Sequence, residues 1–504
     1  MLHHERGNST VSTPNKGRLL RATATALTGA VLAMVCAVAP ASAADNSLVD
    51  ATQKGSITVH KFEKPEAATG LANNGTQLDA AATAALKPLD GVTFSIAQVG
   101  GIDLATNEGW KTANDLLGKF DAKDSAGSIT GAGHTLSQAV TAVTGSGGKA
   151  GEAYFGELGL GLYLVTETVV PNGVTPSAPF LVSVPLTDPN NQKNWLYNVH
   201  VYPKNSVSTA NKTVADADSV KLGDNVTFTI TGGIPNEDIL DGYKVVDVLD
   251  AKLTYVSTEV ALANGAALES GDYTVTPDGN TVTVEFTEPG LSKLAANKTS
   301  QVQVVITTTV NTIGEIKNQA LVYPNKFSID SNTSPMETPE VETKWGAITL
   351  KKTNKADGEP LAGAKFSVFT TEADAKAGTN PVELGGETVF ATPANGELTI
   401  AGLRYSNFAN GVLVAEGEAG FLNYFLAEVE APAGFELLAA PIKFQVTQAT
   451  TAVGVDLDVV NVPSNSGFEL PLTGGTGTTL LYAGGLLLVA GAVLLLVRSR
   501  RTQS

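Results

Sequence analysis

Short segments in which apolar and polar residues alternate recur along most of the chain. Clear examples are Gly55–Lys61, Val226–Ile230, Val302–Val310 and Gly346–Lys352. Alternation with a period of two places every second side chain on the same face, which is typical of a strand with one buried face. Turn signals such as Asp278-Gly279-Asn280 separate these segments. The pattern therefore predicts an all-β protein built from sandwiches with tight turns.

Parts of this pattern occur twice, in the same order. The repeated blocks are an alternating strand that ends in lysine, a turn with a second strand, and a strand that ends in glutamate. They pair Gly55–Lys61 with Gly346–Lys352, Leu89–Ile96 with Leu361–Val368, and Tyr163–Glu167 with Tyr424–Glu428. Three matching blocks in one order indicate an internal repeat, so the first and last units are predicted to share a fold.

The space between the terminal apolar segments, roughly 420 residues, is enough for about three domains. The predicted units are an N-terminal sandwich (44–205), a middle sandwich (206–341), a C-terminal sandwich (342–462) and a short linker (463–469). The less regular stretch 97–150 is predicted to be an insertion in the first unit. The Pro-, Thr- and Glu-rich segment 334–343 is predicted to be an exposed linker.

Both ends of the chain carry an apolar segment beside basic residues. Residues 1–43 have basic residues, an apolar stretch and a small-residue cleavage site, which predicts a signal peptide. Residues 478–497 are long enough for a transmembrane helix, and the basic tail 498–504 follows. The pentapeptide Leu470-Pro471-Leu472-Thr473-Gly474 precedes this helix. The sequence thus predicts an exported protein that is anchored at its C-terminus and faces the outside of the cell.

Composition excludes several classes of function. The chain has 50 Asp and Glu residues against 33 Lys and Arg residues, which argues against nucleic acid as a partner. The only cysteine, Cys36, lies in the predicted signal peptide, so the exported part has no disulfide or cysteine nucleophile. Common hydrolase, P-loop and EF-hand motifs are absent, so we expect no enzyme activity, cofactor or metal. His60 and His200 fall on predicted strands and are interpreted as structural.

One strand of the repeat turns a lysine inward. Period-two counting puts Leu350 and Lys352 on the apolar face and Lys351 on the outer face. The same counting puts Asn461 on the apolar side of the last strand, and Glu428 lies on a strand between them in sequence. A buried lysine is costly unless paired or neutral, and a buried carboxylate favours its protonated form. A neutral amine beside a protonated acid could attack the asparagine and form an isopeptide bond with loss of ammonia. An ordinary salt bridge beside a structural asparagine explains the same residues, so both interpretations stay open.

The C-terminal pentapeptide, apolar run and basic tail resemble the cell-wall sorting signal of Gram-positive surface proteins. In that family a sortase cysteine attacks the Thr–Gly carbonyl, here Thr473–Gly474, and holds the protein as a thioester. An amine then takes over the acyl group. A single-pass membrane protein with a chance pentapeptide is the alternative, and the order of the three features disfavours it.

Two internal motifs make the resemblance more specific. Residues 424–435, which include Glu428, look like the pilin E-box, and Trp195–Lys204 looks like the pilin motif, whose lysine joins one subunit to the next. The chain thus resembles the major (backbone) subunit of a sortase-assembled pilus with immunoglobulin-like domains of the collagen-adhesin B type. The resemblance implies that Lys204 attacks the thioester at Thr473 of another subunit, which gives an open fibre. It implies as partners a pilus-specific sortase, other copies of the chain, minor tip and base pilins, and peptidoglycan.

The same resemblance implies a lysine, an acid and an asparagine for an intramolecular isopeptide bond in each unit. The three sets are Lys61, Glu167 and Asn205; Lys212, Asp247 and Asn318; and Lys352, Glu428 and Asn461. The segment after Glu167 has Val170 where the E-box has alanine. Some backbone pilins lack a bond in their first domain, so the resemblance leaves open whether this unit forms one.

Three other functions compete with the fibre subunit. A monomeric wall-anchored adhesin that binds a host matrix protein would need no acceptor lysine, so the Trp195–Lys204 motif disfavours it. A tip or base pilin would carry a larger adhesive domain or lack that motif. A secreted enzyme would require catalytic motifs that the sequence lacks.

Overall fold

The computed structural model describes residues 48–452 and 454–464, together with Val489, Ala492 and Val493. The predicted signal peptide (1–43), sorting pentapeptide (470–474) and basic tail (498–504) lie outside these residues, as does most of the predicted helix 478–497. Within the described part of the chain, no helix is long and apolar enough to cross a membrane.

The first unit is a sandwich whose alternating strands enclose one core. Its strands are β1 (Gly55–His60), β2 (Phe62–Glu63), β3 (Thr93–Gln98), β4 (Val140–Val143), β5 (Glu152–Leu158), β6 (Gly161–Val169), β7 (Val174–Thr175), β8 (Phe180–Val184), β9 (Leu186–Thr187), β10 (Trp195–Leu196), β11 (Asn198–Val201) and β12 (Lys204–Val207). One sheet has the order β11-β1-β5 and the other β4-β3-β6-β8, while β2, β12 and β7 form a small third sheet. Ile57 and Val59 from the first sheet pack with Phe94, Ile96 and Val165 from the second, as alternate positions should.

The stretch 97–150 forms a helical cover on one sheet of this unit. The helices before and within it are α1 (Ala80–Thr83), α2 (Asn107–Leu117) and α3 (Ser125–Gly131), with a short 3₁₀ turn at Ala122–Asp124. The Thr106 hydroxyl caps α2 by accepting the Gly109 N–H, which satisfies one free donor of the first turn. Leu116 and Ile129 pack on Leu164 of β6 in a small separate core. The chain then returns to the sheet, because β4 pairs with β3.

The second unit is a sandwich of a four-stranded and a five-stranded sheet. Its elements are β13 (Ala210–Ala215), β14 (Asn225–Gly233), β15 (Lys244–Val248), β16 (Leu253–Leu262), β17 (Tyr273–Asp278), β18 (Thr281–Phe286), α4 (Glu288–Ala296), β19 (Gln301–Val310), β20 (Gly314–Asn318), β21 (Ala320–Tyr323), α5 (Lys326–Ser331) and β22 (Met336–Glu337). The sheet orders are β13-β14-β19-β16 and β17-β18-β15-β21-β22. Phe228, Ile230, Val245, Val284 and Val304 meet in the core between them.

The third unit repeats the plan of the first. Its elements are β23 (Val341–Asn354), β24 (Lys365–Phe369), α6 (Glu372–Ala377), β25 (Phe390–Ala391), β26 (Glu397–Arg404), β27 (Phe408–Ala409), β28 (Val412–Leu413), β29 (Tyr424–Glu430), β30 (Ile442–Phe444), α7 (Gln448–Thr451) and β31 (Leu457–Asn461). β23 pairs in parallel with β31 and antiparallel with β26, as β1 does with β11 and β5. Together the three units confirm the prediction of an all-β chain of tandem sandwiches.

Segment 334–343 differs from its prediction as an exposed linker. Met336 and Thr338 are buried, and β22 pairs with β21. The first half of β23 pairs with β20 of the second unit, and its second half pairs with β26 and β31 of the third. The predicted boundary at 341/342 therefore lies at the start of a strand that both units share. This described segment is paired strand and not a flexible linker.

Candidate functional site

The lysines that end the two repeated strands are held by the same backbone contacts. The backbone N–H of Lys61 donates to Gly151 O at 2.7 Å, and that of Lys352 donates to Gly396 O at 2.8 Å. Both glycines have positive φ, at 70° and 72°, and a Cβ on either would lie 2.5 Å from the lysine carbonyl oxygen. Only glycine fits such a close approach in this conformation. The two units thus hold their lysines in the same way.

The third unit brings Lys352, Glu428 and Asn461 together in the core. Lys352 Nζ lies 3.3 Å from Glu428 Oε1 and donates to Asn461 Oδ1. Asn461 Nδ2 donates to Glu428 Oε1 at 2.8 Å and to Oε2 at 3.0 Å. The backbone N–H of Leu438 donates to Oε2 at 2.9 Å. The acid therefore contacts both the amine and the carboxamide.

The first unit has the same arrangement. Lys61 Nζ lies 2.6 Å from Glu167 Oε1 and 2.5 Å from Asn205 Oδ1. Asn205 Nδ2 donates to Glu167 Oε2 at 2.6 Å, and the Ser177 hydroxyl donates to Oε1. Lys61 and Asn205 are completely buried. Val170, which replaces alanine in the E-box-like segment, packs in the core of the unit without displacing these contacts.

The second unit assembles its set from three different strands. Lys212 of β13 places Nζ 2.6 Å from Oδ2 of Asp247 on β15, and Asn318 Nδ2 of β20 lies 3.5 Å from the same oxygen. Asp247 Oδ1 and Asn318 Oδ1 are buried without a hydrogen-bond partner among the described residues. A buried oxygen without a hydrogen-bond donor costs free energy, and the cost is largest when it belongs to an ionised carboxyl. This set is therefore the least satisfied of the three as an ion pair.

Burial changes the ionisation of these groups. Desolvation lowers the pKa of Lys61 to about 8, against the opposing effect of Glu167. Desolvation also lowers the pKa of Lys212 and of Lys352, and it raises the pKa of the Asp247 carboxyl. In the second unit, where both directions are found, they favour the pair in which Lys212 is neutral and Asp247 holds the proton. A neutral amine is the nucleophilic form of lysine.

An aromatic ring lies beside each buried amine, which sequence reasoning missed. The Nζ atoms of Lys61, Lys212 and Lys352 lie 5.7, 5.3 and 5.6 Å from the ring centroids of Phe94, Phe228 and Phe366 respectively. Phe94 and Phe366 occupy equivalent positions in the repeated blocks, so the repeat held a signal for them. The rings exclude water from one side of the amine and offset part of its desolvation cost while it is charged.

Lys204 lies at the end of the motif that contains Trp195. Val199 and Val201 are in the core of the first unit, and Tyr202 stacks on His60 with ring centroids 4.7 Å apart. These contacts hold β12, on which Lys204 pairs with Phe62. Lys204 is only partly exposed, with Nζ 3.4 Å from Tyr202 O, and burial lowers its pKa. Lys204 is therefore held in a half-buried position, because β2 packs beside it.

The residues that the structure describes include no group of three or more His, Cys, Asp or Glu side chains placed to hold a metal ion. The candidate chemistry therefore rests on the lysine, acid and asparagine sets and on Lys204.

Four family descriptions match consecutive parts of the chain. They are "Gram-positive pilin subunit D1, N-terminal domain" over residues 52–206, "Sgo0707 N2 domain" over 204–344, "Prealbumin-like fold domain" over 346–459 and "LPXTG cell wall anchor motif" over 462–504. The last match includes the pentapeptide that the sequence singles out, and it supports attachment to the cell wall.

Individual proteins are similar over almost the whole chain. Fimbrial subunit type 1 of Actinomyces viscosus is 32% identical, over 96% of this chain and 98% of its own. The full-length major pilin SpaD of Corynebacterium diphtheriae is 29% identical, with a TM-score of 0.64 over 83% of this chain and 99% of its own. The major pilin SpaA of the same organism, described with stabilizing isopeptide bonds, is 26% identical, with a TM-score of 0.60 over 81% and 100%. The chain belongs to the family of Gram-positive fimbrial subunits and is a structural shaft subunit of a cell-wall-anchored pilus.

Proposed function

We propose that each sandwich of this shaft subunit closes its own Lys–Asn isopeptide bond, and that subunits are joined covalently between Lys204 and Thr473. The observation that carries the first part is the buried contact of a lysine amine, a carboxyl group and an asparagine amide in all three units. An ordinary salt bridge would not need the asparagine to contact the acid in every unit.

The contacts in the third unit support a self-catalysed reaction. Lys352 gives a proton to Glu428, and the neutral Nζ then attacks Cγ of Asn461. Glu428 donates its proton to the amide and takes one from the attacking nitrogen. The bond between Cγ and Nδ2 breaks, and the ammonia that leaves takes the proton that Glu428 then holds. It departs as ammonium, so Glu428 returns to its ionised starting state. The product is an amide between Lys352 and Asn461, and no further reactant is needed.

The second unit supports the same chemistry in another way. Its acid, Asp247, has one carboxyl oxygen without a partner, and so does the carbonyl of Asn318. Protonation of Asp247 would supply a donor where the ion pair leaves two acceptors. The direction of the Asp247 pKa agrees with this, because desolvation raises it.

The fibre forms when Lys204 attacks a thioester that a pilus-specific sortase makes at Thr473 of another subunit. The amine displaces the sortase thiol, and an amide joins the two subunits. The lowered pKa of Lys204 supports this role, because it increases the fraction of neutral amine. The chain itself acts as a sortase substrate and not as an enzyme. Minor tip and base pilins and peptidoglycan are the remaining proposed partners.

The test is the intact mass of residues 44–469. Each bond should lower the mass by roughly 17 Da, the ammonia lost when an amine replaces an amide nitrogen. Glu428→Gln, Asp247→Asn and Glu167→Gln should each prevent one bond and so abolish one of these mass losses, because an amide cannot carry the proton. Glu430→Gln, whose side chain forms an exposed pair with Lys365, is the matched control and should leave the mass loss intact. An unmodified mass in the unsubstituted protein would refute the intramolecular bonds.

A further inference from the structure

The three buried acids differ in the donors that they accept besides lysine and asparagine. Glu167 accepts a hydrogen bond from the Ser177 hydroxyl, and Glu428 accepts one from the backbone N–H of Leu438. Asp247 has an oxygen without any partner among the described residues. Only in the first unit does a side chain supply this additional donor, so only there could a single substitution remove it.

Ser177 and Leu438 occupy equivalent places in the repeat. Each lies 10 residues after the acid that it contacts. Ser177 lies in the segment Pro176-Ser177-Ala178-Pro179, between β7 and β8, where it is partly buried. The two prolines fix their own φ angles and restrict the residues before them. These restrictions act on the backbone on either side of Ser177, whose hydroxyl contacts Glu167.

A hydroxyl that donates to a carboxylate stabilises its ionised form. The proposed bond-forming reaction requires the acid to take a proton from lysine, so such a donor works against it. We propose that Ser177 is a positioning residue whose hydrogen bond stabilises the Lys61–Glu167 ion pair and thereby slows formation of the Lys61–Asn205 bond. This inference rests on the proposed function, in which Lys61 Nζ attacks Asn205 Cγ and ammonia leaves.

Other charged groups near this set do not replace the serine. Lys61 is the cation in contact with Glu167. Lys204 and Glu237 act on Lys61 from a greater distance and in opposite directions. Lys61 is itself a reactant and cannot be substituted in a test. Ser177 also donates to Glu167, and its substitution leaves all the reacting groups in place.

The experiment follows bond formation in the full chain after refolding. The protein is purified in denaturant before bonds form and is refolded by dilution at a series of pH values. Samples taken over time are digested with trypsin, and the cross-linked peptides of the three units are quantified by mass spectrometry. The variants are Ser177→Ala, Ser177→Thr, which keeps the hydroxyl, and Ser146→Ala, a control at an exposed serine of the same unit.

Ser177→Ala should speed formation of the Lys61–Asn205 peptide about tenfold, since a hydrogen bond to a charged group is worth roughly that factor. It should also move the acid limb of the rate profile to higher pH, because the Lys61–Glu167 ion pair has then lost a stabilising donor. A merely structural role would slow the reaction and leave that limb in place. Ser177→Thr and Ser146→Ala should behave as the unsubstituted chain.

The bonds of the other two units distinguish a failure of this inference from a failure of the proposed function. If their peptides form normally while Ser177→Ala leaves the first-unit rate and acid limb unchanged, or lowers the rate, the role of Ser177 is refuted. The same holds if the first-unit bond forms in neither protein. If no cross-linked peptide forms in any unit, the proposed function fails together with this inference.

Discussion

At the scale of single residues, burial is the dominant influence on the reactive groups. The side chains of Lys61, Lys212 and Lys352 are almost completely removed from water, and each pairs with one acid. Removing one partner of such a pair leaves an uncompensated buried charge, which costs about 3–5 kcal/mol. An amide bond between lysine and asparagine removes the amine charge altogether and so avoids that cost permanently.

The side chains of His60 and His200 form a half-buried polar pair, and His60 directly precedes Lys61 in sequence. His60 Nε2 lies 2.9 Å from His200 Nδ1, and Glu152 lies 3.9 Å from His60 Nδ1. Burial lowers the pKa of both histidines, and the pKa of His60 is lowered further by His200. Glu152 opposes this effect and Lys149 adds to it. The pair is therefore most stable when it is not fully protonated.

We predict that the first unit loses stability as the pH falls below about 6.5, the ordinary pKa of histidine. The unfolded chain binds protons there before the folded chain does, so the free energy of unfolding decreases as the pH falls. The melting temperature, measured by calorimetry between pH 7.5 and pH 5, should fall by several degrees. His200→Gln should flatten this dependence, and the control His134→Gln should not. Equal slopes in all three proteins would contradict the prediction.

At the scale of elements, the junction of the second and third units depends on Arg404. This is the single arginine between Arg21 and Arg498, and it is almost completely buried at the end of β26. Its guanidinium donates to five backbone carbonyl oxygens, those of Ala217, Ser219, Tyr405, Phe408 and Gly420. The segment around Lys221 also pairs with Leu403. One side chain thus links the two units that β23 connects.

We predict that Arg404→Met destabilises this junction by about 3 kcal/mol or more, because it leaves several buried carbonyl oxygens without donors. Arg404→Lys should recover only part of the loss, since an ammonium cannot span the same set of acceptors. Hydrogen exchange at the Leu222 amide, which donates to Gly402 O, is the direct measurement. Lys365→Met at an exposed position is the control. Unchanged exchange at Leu222 in Arg404→Met would rule out this role.

At the scale of the whole molecule, the proposed bonds determine which residues carry tension in a fibre. Tension would enter at Lys204 and leave at Thr473, so residues before Lys204, nearly all of the first unit, would lie outside the covalent path. The bond from Lys212 to Asn318 would bypass the chain between them, as would the bond from Lys352 to Asn461. The stretch between Asn318 and Lys352, which contains the shared strand β23, would remain extensible, by on the order of 100 Å.

We predict that Lys204→Arg abolishes the covalent polymer. Arginine keeps the positive charge but stays protonated, so it cannot attack a thioester. Cell-wall extracts resolved by denaturing electrophoresis should lose the ladder of multimers and retain wall-linked monomer, because Thr473 is still present. Lys54→Arg, at an exposed position in the same unit, should keep the ladder. A ladder that persists in Lys204→Arg would show that another lysine is the acceptor.

The sequence by itself determined the fold class, because alternation, turns and the internal repeat can be recognised without knowing which residues are in contact. Strand phase also turned Lys352 and Asn461 inward, whereas the sets of the other two units came from the resemblance to pilins. Only the tertiary structure decided what surrounds them. Phe228, Ser177 and the Leu438 N–H lie only 10 to 16 residues from the groups they contact, but on other strands or loops, so strand phase does not place them there. Segment 334–343 has a polar composition typical of a linker, and its pairing with β21 and β20 is what buries Met336, Thr338 and Thr343. Local composition carries no information about such long-range pairing, which forms when whole sheets pack together.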